Sequence, residues 1–267
     1  MHQFKARIIY NKKFNENYFH CCLYAPKIAN ESYPGQFVNI KVSDSLDPLL
    51  RRPFGVHRVK SSNIEILYEV VGCGTEILSQ RKAGEYLDVI GPLGCGFNYR
   101  LPITPACRPG RDYRLPILVA GGMGVAPLIF LAEKIKAKGK SLVLIGAKTK
   151  SKILCEREFR QLGCEVRVAT DDGSKGFKGK VTELLKEVLR LAEGNKRFAI
   201  YACGPEPMFK EIAIISKRLD ILTEVSLEAH MACGFGACLG CMVNTKNGYK
   251  RACKEGPVFN LDDIIWE

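Results

Sequence analysis

The spacing of apolar residues changes once, near residue 115, and that change confines the chain to few folds. Up to residue 97 the apolar runs are short: "FKARIIY", "YFHCCLYA", "QFVNIKV", "FGVHRV" and "IEILYEVV", then a helical "TEILSQR" and "YLDVIG". Closely spaced short strands with little helix predict an antiparallel β-barrel. From Leu115 strand-like and helix-like runs alternate, from "ILVAG" and "PLIFLAEKIKAKG" to "FAIYAC" and "EPMFKEIAIISKRL". Such alternation predicts a parallel sheet with crossover helices, the architecture of dinucleotide-binding domains. A last strand, "TEVSLE", leads into a cysteine-rich end.

A chain of 267 residues exceeds what one core usually serves, so two domains and a small appendage are expected. The fold class is multi-domain β plus α/β, with boundaries at 1–97, 98–114, 115–225 and 226–267. Residues 98–114 carry three prolines and four arginines without periodicity, which predicts a linker or surface excursion.

Leu115 to Ala132 is uncharged for 18 residues, the lower edge of a membrane span. Gly121, Gly122, Gly124 and Pro127 break it into strand, tight turn and helix, so no membrane segment is expected. The opening "MHQFKARIIYNKKF" lacks the apolar run of a signal peptide. Eight of the twelve cysteines are scattered, which fits free thiols in a reducing cytoplasm. The formal charge of +12 comes from short groups such as "NKKF" and "KTKSK", not from a basic tail, and nucleic-acid binding is not expected.

The remaining four cysteines, Cys233, Cys238, Cys241 and Cys253, fall within 21 residues with the spacing Cys-x4-Cys-x2-Cys-x11-Cys. The first three match the plant-type [2Fe–2S] spacing, although the fourth follows sooner than in plant ferredoxins. Gly234, Gly236 and Gly240 let a loop wrap closely and point its amides inward. A zinc site and two disulfides are the alternatives, but structural zinc usually shows two Cys-x2-Cys knuckles and this segment has one.

In "ILVAGGMGVAPL", Gly121, Gly122 and Gly124 follow a strand and open a helix, where backbone can approach a pyrophosphate. The full G-x-G-x-x-G is absent, because Pro127 stands in place of the third small residue. Two later strand ends, "ATDDGSKG" and "YACGPEPM", supply Asp171, Asp172, Cys203 and Gly204 where an open parallel sheet binds ligand. The two aspartates suit a ribose contact or a turn. Cys203 suits the border of a nicotinamide or a buried thiol. Lys148, Lys150 and Lys152 follow the second strand, where a basic group could accept a 2′-phosphate, so NAD and NADP both stay open. In the first domain, "LLRRPFGV" and "LYEVVGCGTEIL" offer an arginine and a helix N-terminus, both suited to a diphosphate.

Together "LLRRPF", "VVGCGTEIL", "GPLGCGF", "VAGGMGVAPL", "TDDGSKGFKG", "YACGPEPM", "CGFGACLGC" and "CKEGPVF" resemble the ferredoxin-NADP reductase superfamily over nearly the whole chain. Within it they are most similar to the electron-transfer subunits of type B dihydroorotate dehydrogenase. The resemblance implies that the barrel binds FAD, the α/β domain NAD, and the C-terminal cysteines a [2Fe–2S] cluster. It implies flavin contacts at Arg52, Pro53, Phe54 and Gly55, an isoalloxazine strand at Leu67, Tyr68 and Glu69, and a diphosphate turn at Gly74 and Thr75. Gly55 stands where that family usually has serine, so one hydroxyl contact is missing. The implied role is an oxidoreductase subunit in pyrimidine biosynthesis, exchanging a hydride with NAD and single electrons with the cluster, with no general acid or base of its own. Its implied partner is an FMN-containing dihydroorotate dehydrogenase catalytic subunit, in a cytoplasmic heterotetramer of two plus two. The alternatives are a related NAD(P)H–ferredoxin or sulfide-type oxidoreductase subunit, a zinc-stabilised flavin-binding module without turnover, and a stand-alone NADH-dependent flavin reductase.

Overall fold

A computed structural model describes residues 1–99, 114–136, 141–191 and 197–266. The excursion expected at 98–114 falls almost entirely outside the described residues. By packing the chain forms two compact units, one of Met1–Gly96, Ala229–Val243 and Tyr249–Pro257, the other of Phe97–Glu228, Asn244–Gly248 and Val258–Glu267. The cysteine-rich end therefore divides its residues between both.

The first unit is built on β1 (His2–Asn15), β2 (Tyr18–Tyr24), β3 (Phe37–Lys41), β4 (Arg52–Gly55), β5 (Arg58–Lys60), β6 (Asn63–Glu69) and β7 (Tyr86–Leu93). Two short helices, α1 (Pro26–Glu31) and α2 (Cys73–Gln80), connect them. The strands form one antiparallel sheet in the order β4-β3-β7-β1-β2-β6-β5. Alternation in β1 is the driving pattern: Ala6 and Ile8 are buried while Lys5 and Arg7 face water.

The single strand expected at "FGVHRV" is two, and the reason lies in the curl of the sheet. The Val56 N–H donates to the Gln36 carbonyl at 3.0 Å and the next N–H, of His57, to Glu65 at 2.8 Å. Within two residues the chain leaves one end of the sheet order for the other. That is possible because β4 packs on β6, with the rings of Phe54 and Tyr68 5.6 Å apart. The sheet is thus a half-barrel. Helix α1 was not foreseen, since six residues are too few to show a helical period.

The second unit holds β8 (Arg114–Gly121), α3 (Val125–Lys136), β9 (Leu142–Ala147), α4 (Glu156–Gln161), β10 (Glu165–Thr170), β11 (Phe177–Lys178), α5 (Val181–Leu191), β12 (Arg197–Cys203), α6 (Glu206–Leu219) and β13 (Leu222–Ser226). A hairpin of β14 (Met242–Thr245) and β15 (Gly248–Arg251) follows, its turn closed at Asn247-Gly248 with φ +85° at the glycine. Then comes β16 (Val258–Asn260). The sheet order is β11-β10-β9-β8-β12-β13-β16, parallel except for β16.

This order explains the long uncharged run. Strand β8 has β9 and β12 on its edges and α3 and α5 packed against it, and Ile117 to Ala120 are wholly buried. Helix α3 continues the run with Leu128, Ile129, Leu131 and Ala132 equally buried. Pro127 sits in the helix's first turn, where its missing N–H has no partner to lose. Among the described residues no helix is long and apolar enough to cross a membrane.

Candidate functional site

Three constellations emerge, and the cysteine loop is the most constrained. Gly234 and Gly236 take φ of +78° and +93°, which a non-glycine residue adopts only under strain, and the loop bends tightly between Cys233 and Cys238. The Ala237 N–H donates to the Cys233 sulfur at 3.3 Å, and the Cys253 N–H to the Cys241 sulfur at 3.4 Å. Arg251 braces the turn, donating to the Gly236 carbonyl at 3.0 Å while pairing with Glu255.

Every cysteine among the described residues is a free thiol. The Cys238 thiol neighbours that of Cys233, and the Cys241 thiol that of Cys253. Burial works to raise Cys233, but the N–H groups of Phe235 and Cys238, the Cys238 thiol and the Ala237 N–H outweigh it and bring it down to about 6. Cys253 is pushed up to about 12 by burial and by the neighbouring sulfurs of Cys241 and Cys233.

Around one zinc ion, bonds of about 2.3 Å would place all four sulfurs roughly 3.8 Å apart. Among the described residues no three of these four lie within 4.8 Å of one another. A two-and-two arrangement is what two bridged irons need, each taking two thiolates, with backbone amides directed at the sulfurs. The donor set fits a [2Fe–2S] cluster and not a single zinc.

The second constellation lies at the ends of β8 and β12. From β8 the sheet runs to β9 and β10 on one side and to β12 and β13 on the other, so the switch point falls between β8 and β12. Gly121 ends β8, and a tight turn through Gly122 (φ +54°) and Gly124 leads into α3. A Cβ at Gly124 would lie 1.9 Å from the Cys203 carbonyl oxygen, and one at Gly204 3.1 Å from the Gly121 backbone. The predicted Gly121, Gly124, Cys203 and Gly204 thus meet as one backbone-walled notch at a helix start, suited to a pyrophosphate.

Asp171 and Asp172 follow β10, two strands from this notch, about 10 Å along the sheet edge. Their carboxylates are engaged: Asp171 pairs with Lys180 at 2.8 Å, and Asp172 accepts from the N–H and hydroxyl of Ser174 at 3.0 and 2.6 Å. Asp172 therefore forms the turn that the sequence allowed as its other role.

The third constellation is in the half-barrel. Arg52 opens β4, and its guanidinium lies against the first turn of α2, where a Cβ on Gly74 would be 2.6 Å from Nε. The Thr75 hydroxyl closes that turn, accepting from the Val71 and Gly72 N–H groups at 3.0 and 3.2 Å and donating to the Gly72 carbonyl at 2.9 Å. Its task is to shape the cradle rather than to line it. Pro53 lies opposite Asn39 and Gly55 opposite Phe37 in the β3 ladder. Phe54 meets Tyr68 edge-on, and Tyr68 also stacks on Phe19 with its hydroxyl donating to Asn11 at 3.1 Å. Leu67 and Glu69 flank Tyr68 on the opposite face of β6. An arginine beside first-turn amides free of intrahelical acceptors fits a flavin diphosphate.

Sequence reasoning passed over residues at two of these sites. Glu228 and Ser226 surround Cys203: burial and the Glu228 charge raise its thiol against the Ser226 hydroxyl, and burial raises the Glu228 carboxyl itself. Asn39 is wholly buried and donates to the Cys233 carbonyl at 3.0 Å. The local sequence of neither carries a motif. Only a polar residue amid the apolar "FVNIKV" marked Asn39 as unusual.

A half-barrel followed by a switch-point sheet is the ferredoxin-NADP reductase architecture. A ferredoxin NADP+ reductase from Neisseria gonorrhoeae, solved with bound FAD and NADP, shares this fold at TM-score 0.64 and 15% identity, over 82% of this chain and 91% of that one. The structure of an NADH-dependent reduced ferredoxin-NADP oxidoreductase matches at TM-score 0.83 and 30% identity, over 98% and 90%. Residues 228–265 match the iron-sulfur cluster binding domain of dihydroorotate dehydrogenase B, and residues 118–213 the oxidoreductase NAD-binding domain. The dihydroorotate dehydrogenase B (NAD(+)) electron transfer subunit of Desulforamulus reducens is 42% identical over 99% of this chain and 98% of its own. That of Geobacillus thermodenitrificans is 36% identical over 98% of each. The chain belongs to the family of dihydroorotate dehydrogenase B electron transfer subunits.

Proposed function

We propose that this chain passes electrons between a dihydroorotate dehydrogenase catalytic subunit and NAD+ in pyrimidine biosynthesis. The observation that carries the reading is the two-and-two pairing of Cys233 with Cys238 and Cys241 with Cys253, in the unit that also holds the Arg52–Gly74 cradle. When bound, FAD would exchange a hydride with the nicotinamide and single electrons with a [2Fe–2S] cluster.

The residues have distinct tasks in this reading. The four cysteines hold the cluster, and the amides of Ala237 and Cys253 support its sulfurs. Arg52 and the amides of Gly74 and Thr75 bind the flavin diphosphate, while β4 and the end of β6, at Pro53, Phe54, Gly55, Leu67, Tyr68 and Glu69, hold its ring system. Gly121, Gly122, Gly124 and Gly204 admit the dinucleotide backbone, and Cys203 borders the nicotinamide. Asp171 reaches the ribose only by leaving Lys180. Residues 1–97 serve the flavin, 115–225 the nucleotide and 226–267 the cluster. Positioning and redox tuning are the protein's work, and no side chain acts as general acid or base.

Phe235 and Leu239, 46% and 58% exposed, flank Cys238 and offer apolar surface to the partner. We take that partner to carry FMN, the assembly to be two plus two, and the location to be the cytoplasm. Anaerobic co-expression with the candidate FMN subunit tests the reading. Co-purification with dihydroorotate-dependent NAD+ reduction supports it. A chain that reduces small acceptors from NADH but neither binds nor serves that subunit would be a flavin reductase instead.

A further inference from the structure

Asn39 stands in the middle of β3 with Val38 and Ile40 beside it, all three without solvent exposure. Its ladder neighbours are Pro53 on β4 and Ile90 on β7. An apolar side chain would fill such a place without the cost of desolvating an amide. The carboxamide donates from Nδ2 to the Cys233 carbonyl at 3.0 Å, and Oδ1 meets no donor among the described residues. What offsets its burial is therefore the bond to the first residue of the cysteine loop. The fit continues at the next residue, for Gly234 has φ +78° and a Cβ there would lie 2.3 Å from Nδ2. Loop backbone is pressed onto the carboxamide at a point where any side chain would have to displace it. On the other side of the same residue the Cys233 sulfur accepts from the Ala237 N–H. Carbonyl and thiol of Cys233 are thus each tied, one to β3 and one to the loop.

We propose that Asn39 is a positioning residue for electron exchange: by holding the Cys233 carbonyl it seats the cysteine loop on β3, the strand that pairs with Arg52–Gly55. It thereby sets the potential of the iron–sulfur group and the coupling of that group to the flavin. The inference rests on the reading of Cys233 as a cluster ligand and of β4 as a flavin strand. An amide that merely filled a gap would influence stability alone. A clamp also influences the group whose ligand it holds.

Three variants separate these roles. Asn39→Asp keeps the shape and replaces the donor with an acceptor, Asn39→Leu keeps the volume without polarity, and Gly234→Ala disturbs the same contact from the loop side. Each is purified anaerobically with FAD and iron and compared with the parent protein in three measurements. These are the rate of FAD reduction by NADH, the EPR line shape and midpoint potential of the reduced cluster, and the rate of electron exchange between flavin and cluster. The expected result is an unchanged first rate, a shifted potential and line shape, and an exchange slower by about 10-fold or more, since misplacement on the order of 1 Å at a reacting centre costs up to roughly 100-fold. Gly234→Ala should reproduce the change, and its effect should not add to that of Asn39→Leu, because both act on one contact. Should both Asn39 variants fail to fold, Gly234→Ala decides alone, because the far end of the Asn39 side chain can yield to its Cβ. Variants with full FAD and iron that keep the parent potential, line shape and exchange rate overturn the inference. A parent protein without the EPR signal of a reduced [2Fe–2S] centre overturns instead the reading of the four cysteines.

Discussion

Glycines at 74 and 124 both admit a close neighbour, and the nature of that neighbour decides what an alanine would do. At Gly124 the Cβ would meet the Cys203 carbonyl oxygen at 1.9 Å, backbone of a central strand that cannot move without its ladder. Gly124→Ala should destabilise the protein by about 1–3 kcal/mol or more, as overpacking does, read as a lower denaturant midpoint. At Gly74 the Cβ would meet the far end of Arg52, which can swing away. Gly74→Ala should leave stability within about 1 kcal/mol, since alanine is the better helix former. FAD affinity should fall about tenfold or more as one charge-assisted contact is lost, measured by fluorescence titration of flavin-free protein. Equal stability losses in the two variants would contradict this account. Cys238→Ser should leave FAD reduction by NADH largely intact and cut reduction of the partner to background. Stopped-flow bleaching and a coupled dihydroorotate assay separate the two, and normal partner reduction would sink the relay. Lys148, Lys150 and Lys152 leave the nicotinamide preference to measurement, and for a protein of this family NADH should reduce the flavin at lower concentration than NADPH.

Strands β2, β5 and β6 bring charged groups around a buried acid, Glu65. Its carboxylate is 3.2 Å from His20, 3.1 Å from Lys60 and 3.9 Å from Arg58. Burial works to raise Glu65, but the His20 and Lys60 side chains beside it outweigh burial and hold it down to about 2. A carboxyl depressed in the folded state stabilises above its unfolded pKa of about 4.3 and loses that contribution as pH falls through the folded value. The stability difference between the parent protein and Glu65→Gln should therefore shrink as pH falls from about 5 toward 2. Denaturant unfolding across that range checks it, and a pH-independent difference would refute it. The sequence "IEILYE" hid this acid, because alternation marks which positions face inward but not which charges meet them there. Splitting "FGVHRV" into β4 and β5 was equally out of reach, since two residues cross between sheet ends only once the sheet has curled.

At the scale of the whole molecule the prediction concerns assembly. Expressed alone, the chain should reduce artificial acceptors from NADH and show no activity toward dihydroorotate. With the FMN subunit present it should migrate as a complex of two plus two in analytical ultracentrifugation. A monomeric chain that oxidises dihydroorotate unaided would contradict the division of labour.

The alternation of strand and helix after residue 115, the switch from antiparallel to parallel sheet and the spacing of the four thiols were legible in the chain itself. Each is a local matter: side-chain period, turn residues and short spacings are all written within a few residues of where they act. The two-and-two pairing of sulfurs, the engagement of Asp171 with Lys180, the meeting of Arg52 with Gly74 and the clamp from Asn39 to Cys233 were decided by tertiary structure alone. Asn39 and Cys233 are 194 residues apart. Their hydrogen bond exists only because burial of both apolar sheet and cysteine loop brings them together, and no local preference encodes a distance between residues that far apart.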